Sequence, residues 1–272
     1  MALPDVSSVR SRHCGHVQYL TIDRPERRNA IDRVTRAALV RAFIAANADP
    51  DTWTVVVTGA GDRSFCAGRD LKELDETARS GGTVVTPMEE PERNLHEVVL
   101  ETYKPTIAAL NGPCAGAGFV LACFADFRIS VADNRITPSF AGLGLPAEYG
   151  LAWTLTRIVG QQNALEILLA NPVMSGDEAK QFGFVRSSVP AEEFARHVHE
   201  FARNLAWHSS PSSLKVMKRQ VYLDAWADLE VAYARAVEDM NRMVGEPDFS
   251  TGLQATRDRR RARFLPCDDE GK

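Results

Sequence analysis

The sequence predicts an α/β fold over residues 1–190 and a helical region over residues 191–272. Short apolar, β-branched runs alternate with segments of helical spacing in the first part, whereas only helical spacing is found in the second. Of the 272 residues, 44% are hydrophobic and 25% are charged, which is typical of a soluble globular protein. This composition excludes a disordered tail, a collagen and a small disulfide-rich scaffold.

Four apolar, β-branched runs predict buried strands. They are residues 17–22, 53–58, 106–110 and 127–131. Asn29 is expected to cap the first helix, with Asp32 at the third position, where the helix dipole favours an acid. Residues 75–97 are rich in glycine, proline and acids, so they predict a mobile connection that leads into a helix near residues 94–102.

The helices of the second half are predicted from regular apolar spacing, from one helix-start signal and from one helix break. Ser175 and Glu178 form a capping box, and residues 209–211 break the helical pattern. The apolar positions at helical spacing are Leu151, Leu155 and Ile158; then Phe194, Val198, Phe201 and Leu205; then Leu214, Met217 and Val221; and finally Leu229, Tyr233, Val237, Met240 and Val244.

The net charge and the cysteines indicate which binding partners and which cellular compartment the protein is expected to have. With 32 basic and 36 acidic residues, the formal net charge of −4 disfavours nucleic-acid binding. Five cysteines without a C-x-x-C pair indicate reduced thiols in the cytoplasm rather than a disulfide framework or a zinc ribbon. The uncharged segment 105–125 has the length of a membrane span. Because glycines and Pro113 interrupt it, we expect soluble core and no membrane partner.

Two glycine-bearing turns are the most informative segments. Residues 64–72 and 111–118 each follow a predicted strand and precede a predicted helix. Such a turn leaves backbone N–H groups at a positive helix end, and two turns that face each other can bind one oxyanion. Tight packing is the alternative for either turn alone. A dinucleotide-binding motif does not fit, because Ser64 stands where the third glycine belongs.

Several motifs resemble, in order and spacing, those of the crotonase (enoyl-CoA hydratase/isomerase) superfamily over residues 17–264. They are residues 24–30 (RPxxRNA), 65–72 (FCAGRDLK), 107–113 (IAALNGP), 115–118 (AGAG), Asp126, 144–146 (GLP), 175–183 (SxxEAxxFG) and 259–264 (RRRARF). The resemblance implies a crotonase-type spiral of ββα units, with a helical C-terminal region that builds a homotrimer or hexamer. It also implies an acyl-CoA thioester substrate and no metal or cofactor besides the coenzyme A of that substrate.

By this resemblance, the backbone N–H groups of Arg69 and Ala117 form an oxyanion hole. Alanine at position 117 replaces the usual glycine but keeps the N–H. Coenzyme A is expected along residues 64–72, with three candidate cations that are equally well explained as surface charges. The residues expected to bind it are Arg28, Arg63, Ser64, Ala67, Gly68, Asp70, Leu71, Lys72 and Gly116.

The resemblance places the two glutamates of typical hydratases at Val120 and Phe140, in the substrate pocket, and neither side chain can transfer a proton. Glu148 lies where isomerases of the family carry an acid, and an apolar pocket would raise its pKa toward that of a general base. The alternative is that Glu148 interacts with the helix N-terminus that follows. Tyr149 is a lesser candidate, as a proton donor or pocket wall.

The predicted activity is hydration or double-bond isomerisation of an enoyl-CoA. A non-catalytic acyl-CoA-binding protein and a C–C bond hydrolase of the same fold are the alternatives. Cys66 and Cys114 are expected to pack rather than react, and His96 is expected at the surface. His13 and His16 are placed before the first strand. The basic run 257–263 is either a phosphate contact or a solvated face.

Overall fold

The computed structural model describes residues 8–81 and 94–264. The strands are β1 Val9–Cys14, β2 Val17–Ile22, β3 Thr54–Gly59, β4 Thr106–Leu110, β5 Cys114–Ala115, β6 Phe127–Val131, β7 Ile136–Thr137 and β8 Ser187–Val189. The helices are α1 Arg33–Ala48, α2 Leu71–Arg79, α3 Leu95–Glu101, α4 Ala117–Phe124, α5 Leu151–Val159, α6 Gln161–Leu165, α7 Gly176–Gln181, α8 Ala191–His208, α9 Pro211–Leu223, α10 Leu229–Met243 and α11 Pro247–Arg257.

The main sheet has six strands in the order β1-β2-β3-β4-β6-β8. All neighbours in it are parallel except β1 and β2, which form a hairpin with Val9 opposite Ile22. The four predicted strands are confirmed as β2, β3, β4 and β6. Strand β1 was missed because, after Val9, all of its residues are exposed. His13 therefore lies in β1 and His16 lies between β1 and β2, so the prediction that both precede the first strand is wrong.

The two faces of the sheet pack against different helices because side chains alternate along each strand. Val55 and Val57 belong to the larger core, which includes buried residues of α1, α3 and α4. Val56 belongs to a second core that is completed by Phe194 and Val198 of α8. The glycine-bearing turns follow β3 and β4 and lead to α2 and α4, and α4 is buried in the larger core.

The cap of α1 differs from the prediction. Asp32 is the N-cap residue, and its Oδ1 accepts a hydrogen bond of 2.8 Å from the Thr35 N–H. Asn29 has a left-handed backbone conformation with φ of 56°, and its side chain is buried. Its amide nitrogen donates to the carbonyl oxygens of Ala60 and Ser64 at 3.1 and 2.7 Å, so Asn29 holds the first glycine-bearing turn instead of capping a helix.

The connection predicted at 75–97 is only partly described. Helix α2 occupies its beginning, and residues 82–93 lie outside the described residues. The predicted helix that follows is confirmed as α3, with Asn94 as its N-cap residue. The uncharged segment 105–125 is divided into β4, β5 and α4, as expected. In the described ranges, no helix combines the length and the apolarity that a membrane crossing requires.

The C-terminal helices begin and end where the capping box and the predicted helix break indicate. The capping box of Ser175 and Glu178 is present, and the break at residues 209–211 separates α8 from α9. The apolar positions between 214 and 244 form two helices, because a 3₁₀ turn at Asp224–Trp226 separates α9 from α10. Asp126 connects α9 to the sheet through Lys218 and Tyr222.

Candidate active site

The two glycine-bearing turns lie side by side. The N–H of Cys66 donates to the carbonyl oxygen of Pro113 at 3.2 Å, and the N–H of Ala115 donates to the carbonyl oxygen of Cys66 at 3.0 Å. Cys66 and Cys114 thereby form a parallel β-bridge. The turns are therefore joined backbone to backbone immediately before Gly68 and Gly116.

Glycine is required where the turns meet. Gly68 has a φ of 107°, and a Cβ atom there would lie 3.2 Å from the carbonyl oxygen of Ala115. At Gly118 a Cβ atom would lie 2.5 Å from the carbonyl oxygen of Cys66, which is closer than real side chains approach. Larger residues at either position would push the turns apart or distort them. The spacing of glycines in both motifs is thus explained by this contact.

The N–H groups of Arg69 and Ala117 belong to the segments that meet here. Ile31 donates its N–H to Gly68 and accepts one from Asp70, at 2.8 and 3.1 Å, in a parallel bridge opposite Arg69. Because bonding groups alternate along an extended chain, this pairing directs the amide of Arg69 away from Ile31. Ala117 is the first residue of α4, so its N–H has no acceptor within the helix.

Both residues line a cavity of about 30 Å³, close to the volume of one water molecule. It lies on the larger-core face of the sheet. Three of the predicted site residues, Arg69, Ala117 and Tyr149, line it together with residues that were not predicted. Its lining consists of Ile31, Asp32, Arg33, Arg36, Arg69, Glu73, Leu95, His96, Ala117 and Tyr149. Arg69, Ala117 and Tyr149 thus border one small cavity.

Glu148 precedes Tyr149 in a tight turn. The N–H of Leu151 donates to the carbonyl oxygen of Glu148 at 2.8 Å, and both central residues, Tyr149 and Gly150, have positive φ angles of 49° and 73°. A tyrosine in this conformation stores about 1–3 kcal/mol of strain, which the surrounding packing must hold. The turn fixes the direction in which Glu148 leaves the backbone.

The carboxyl group of Glu148 is half-buried, and its Oε2 has no hydrogen-bond partner among the described residues. Burial raises the pKa of Glu148, and the positive charge of Arg69 opposes that rise. Gly150 is the N-cap residue of α5 and has no side chain to cap it. The alternative, in which Glu148 interacts with this helix N-terminus, stays a prediction.

The residues expected to bind coenzyme A fall into two groups. Arg28, Arg63, Ala67 and Lys72 are exposed, and Leu71 begins α2. Ser64 and Asp70 are instead engaged in holding the fold. The hydroxyl of Ser64 is buried and donates to the carbonyl oxygen of Pro113 at 2.9 Å. The carboxylate of Asp70 caps α2 and forms an ion pair with Arg24 at 3.3 Å.

Val120 and Phe140 are buried in the larger core and do not line the small cavity. The side chain of Val120 is fully buried, and Phe140 is 4% exposed. Asp32 and Glu73 supply carboxylates to the lining of the small cavity. Glu148 does not line it but lies close enough to Arg69 for their charges to interact.

His96 is buried, and the prediction of a surface position is wrong. It is 5% exposed, and its ring centroid lies 4.3 Å from that of Tyr149 and 5.2 Å from that of Phe124. Helix α3 packs against both α1 and α4, so two of its faces are covered. A seven-residue helix is too short for apolar spacing to show a second buried face.

The other nucleophile and histidine candidates have structural partners. Burial raises the pKa of Cys66 to about 12 and that of Cys114 well above its usual value, which supports a packing role. His197 lies 2.9 Å from the hydroxyl of Ser187, whereas His199 lies 3.0 Å from that of Tyr19. The two histidines therefore serve separate contacts.

A larger cavity of about 770 Å³ lies on the opposite face of the sheet, between strand ends and α8. Its lining includes Val56 and Val198 of the second core, together with Arg12, Asp133 and Arg135. None of the residues proposed for catalysis lines it. Asn111, Gly112 and Pro113 of the second turn also line it, so this cavity borders that turn without including the residues proposed for catalysis.

Comparison with known proteins agrees with the geometry. The family model described as enoyl-CoA hydratase/isomerase matches residues 13–265. The chain is 28% identical over 250 residues to crotonyl-CoA hydratase of Syntrophomonas wolfei subsp. wolfei, which covers 90% of this chain and 93% of that protein. It is 31% identical over 260 residues to 1,2-epoxyphenylacetyl-CoA isomerase of Escherichia coli, covering 91% and 94%.

Among solved structures, the enoyl-CoA hydratase from Bacillus anthracis superposes with a TM-score of 0.84. It is 25% identical in sequence and covers 94% of this chain and 98% of its own. The match spans both the sheet and the helical C-terminal region, which agrees with the predicted crotonase-type fold. The chain therefore belongs to the enoyl-CoA hydratase/isomerase family.

Proposed function

We propose that the chain isomerises an enoyl-CoA by stabilising a thioester enolate between the backbone N–H groups of Arg69 and Ala117. The observation that carries this proposal is the backbone pairing of the two turns, which brings Arg69 and Ala117 to one cavity. Two fixed donors aimed at a developing oxyanion stabilise it without a metal or a covalent intermediate, and each contributes about 3–4 kcal/mol in other enzymes.

Glu148 is the proposed proton carrier. It removes a proton from the α-carbon of a 3-enoyl thioester, the electron pair moves into the thioester to give a dienolate, and the same proton returns to the γ-carbon. The product is the 2-enoyl thioester, so one carboxylate completes the cycle. The raised pKa and the unpartnered oxygen of Glu148 support this role, because a carboxylate without fixed hydrogen bonds is a stronger base.

Isomerisation is favoured over hydration by the residues at positions 120 and 140. A hydratase with two glutamates orients water between them, whereas Val120 and Phe140 are apolar and buried here. The relatives include proteins named hydratases and one named an isomerase. Hydration with Glu148 as the single carboxylate remains the second candidate activity, and the substrate of both is an acyl-CoA thioester.

A homotrimer or hexamer in the cytoplasm is the proposed assembly. The C-terminal helices expose large apolar side chains that a single chain leaves uncovered. Those more than half exposed are Val221, Leu223, Trp226, Leu229, Tyr233 and Met240. An apolar patch of this kind is typical of a protein–protein interface. Light scattering after size-exclusion chromatography should give three or six chains of 30.0 kDa, and a monomer would contradict this proposal.

The proposed reaction is tested by turnover with matched 3-enoyl-CoA and 2-enoyl-CoA substrates. Conversion of the 3-enoyl to the 2-enoyl thioester, with slow or absent hydration of the latter, is the expected result. Fast hydration would favour the second activity. Tight binding of both thioesters without any conversion would overturn the enzymatic proposal and favour a non-catalytic acyl-CoA-binding protein.

A further inference from the structure

The imidazole of His96 lies in the candidate site but takes no part in the proposed reaction. It lines the same small cavity as Arg69 and Ala117, yet the proposed proton transfer gives it no task. Its side chain is almost wholly buried between two aromatic rings, those of Tyr149 and Phe124. A buried polar ring is stable only when its nitrogen atoms are satisfied or face a ligand.

One ring nitrogen of His96 is already paired. The Oδ1 of Asn94 lies 3.0 Å from Nδ1 and also accepts the backbone N–H of His96 at 3.2 Å. An amide oxygen only accepts hydrogen bonds, so Nδ1 must carry the proton. In a neutral imidazole the other nitrogen, Nε2, is then an acceptor with a lone pair.

The surroundings of His96 keep its ring neutral. Burial and, to a lesser extent, the positive charge of Arg36 together lower the pKa of His96 to about 3. The groups that face the cavity include the acids Asp32 and Glu73 as well as several arginines, and the balance still disfavours a second proton. Across the described residues no hydrogen bond to Nε2 is formed, so this acceptor is left for whatever enters the cavity.

We infer that His96 is a specificity residue that accepts, through Nε2, a hydrogen bond from a hydroxyl group on the acyl chain of the substrate. This inference rests on the proposed function, because it places the acyl group beside Arg69 and Ala117. The cavity there, of about 30 Å³, has room for one hydroxyl group and not for a whole acyl chain. Leu95 and Tyr149 supply apolar wall around the imidazole.

A plain hydrocarbon chain would bury Nε2 without a partner. A site built to hydrogen-bond a substrate hydroxyl discriminates against the analogue that lacks it, because its own polar group is then left unsatisfied. Binding and turnover should therefore favour the hydroxylated acyl group by about tenfold or more. A substituent of similar size that cannot donate should lose this advantage.

The test compares 2-pentenoyl-CoA and 3-pentenoyl-CoA with their 5-hydroxy and 5-fluoro derivatives. Fluorine is close to hydroxyl in size but has no proton to donate. We expect kcat/KM to be about tenfold higher for the hydroxy compounds, with no such gain for the fluoro compounds. His96→Phe should abolish the preference, measured as the ratio of kcat/KM for the hydroxy and the unsubstituted thioesters. A preference that survives in this variant would overturn the assignment.

Binding of saturated thioesters separates this inference from the proposed function. Calorimetry with pentanoyl-CoA and 5-hydroxypentanoyl-CoA needs no turnover and uses the unaltered protein, so it holds even where His96→Phe does not fold. If the protein isomerises enoyl thioesters but does not prefer those with a hydroxyl group, the role of His96 is overturned and the proposed reaction is supported. If the hydroxylated thioester binds more tightly but no enoyl thioester is converted, the proposed reaction is overturned and the role of His96 is supported. Failure of every thioester to bind would overturn both.

Discussion

Ala115 donates its backbone N–H to the carbonyl oxygen of Cys66 at 3.0 Å, and this bond joins the two turns through residues that are 49 positions apart in sequence. The separation matters because each turn alone is an ordinary strand-to-helix connection. Joined in this way, the segments bring Arg69 and Ala117 to one cavity. The candidate site is thus a product of the parallel sheet, which places the ends of β3 and β4 next to each other.

Replacing Glu148 with glutamine should remove the proposed proton carrier and preserve its shape. We expect kcat for double-bond isomerisation to fall by about 10²–10⁴-fold, with a much smaller change in thioester affinity. The measurement is steady-state turnover together with calorimetric binding. Glu166→Gln, at an exposed glutamate on the turn after α6, is the matched control and should retain activity. Full activity in Glu148→Gln would exclude Glu148 from the reaction.

The same substitution should not lower stability. Burial raises the pKa of Glu148 above its usual 4.5, so the folded protein binds this proton more tightly than the unfolded chain does. As the pH rises through the interval between the two pKa values, ionisation therefore destabilises the fold. Urea unfolding at pH 7 should show Glu148→Gln at least as stable as the unaltered protein, whereas a marked loss of stability would indicate a structural role.

Activity should depend on pH through the same group. A general base must be ionised, so kcat/KM for isomerisation should fall as the pH drops through the raised pKa of Glu148. The acid limb of the profile should lie above the usual 4.5 of a glutamate. A limb at or below that value would show that a different, unperturbed acid controls the reaction.

Gly68→Ala should impair catalysis through the geometry of the turns. The added Cβ would lie 3.2 Å from the carbonyl oxygen of Ala115, on a backbone whose φ of 107° is unfavourable for alanine. We expect a loss of about 1–3 kcal/mol in stability and a larger relative loss in kcat. Gly15→Ala, at φ 55° with open space around it, is the control for strain alone. Equal kcat in both variants would contradict this account.

Asp126→Asn should weaken the attachment of α9. The carboxylate accepts hydrogen bonds from Lys218 and Tyr222, both at 2.8 Å, and the ion pair with Lys218 is largely buried. Removing one partner of a buried pair costs about 3–5 kcal/mol. Glu200→Gln, which breaks an exposed pair with Arg196, should cost less than about 1 kcal/mol by the same urea measurement. Similar losses in both variants would argue against this anchoring role.

The fold was predictable to the extent that each element carries its own local signal. The four parallel strands, the capping box at Ser175 and the break before Pro211 were all confirmed, because apolar runs and turn residues act over a few positions. Strand β1 was not predictable in this way. It is an edge strand whose exposed residues show no alternation, so its pairing with β2 depends on the hairpin geometry.

The sequence predicted those parts of the candidate site that depend on close backbone contact. It did not predict the side chains whose position depends on packing against distant segments. Glycine spacing identified both turns, since close backbone approach leaves a direct mark on the sequence. The roles of Asn29 and His96 were missed for the opposite reason. Asn29 bonds to residues more than 30 positions away, and the burial of His96 depends on two helices from distant segments.

The buried thiols should be inert, which tests their assignment as packing residues. Burial raises the pKa of Cys66 and Cys123 to about 12, so neither is a thiolate at neutral pH. In a Cys267→Ser background, a thiol reagent should modify the exposed Cys14 of the native protein and no other thiol. Rapid modification of Cys66, or its protection by an acyl-CoA, would instead point to a thiol in the reaction.

The central claim is that two peptide N–H groups hold one thioester oxygen. A crystal structure with an unreactive acyl-CoA tests it most directly. The expected result is a thioester oxygen within about 2.7–3.1 Å of the backbone nitrogens of both Arg69 and Ala117. A thioester oxygen bonded to only one of them, or seated elsewhere in the protein, would contradict the account.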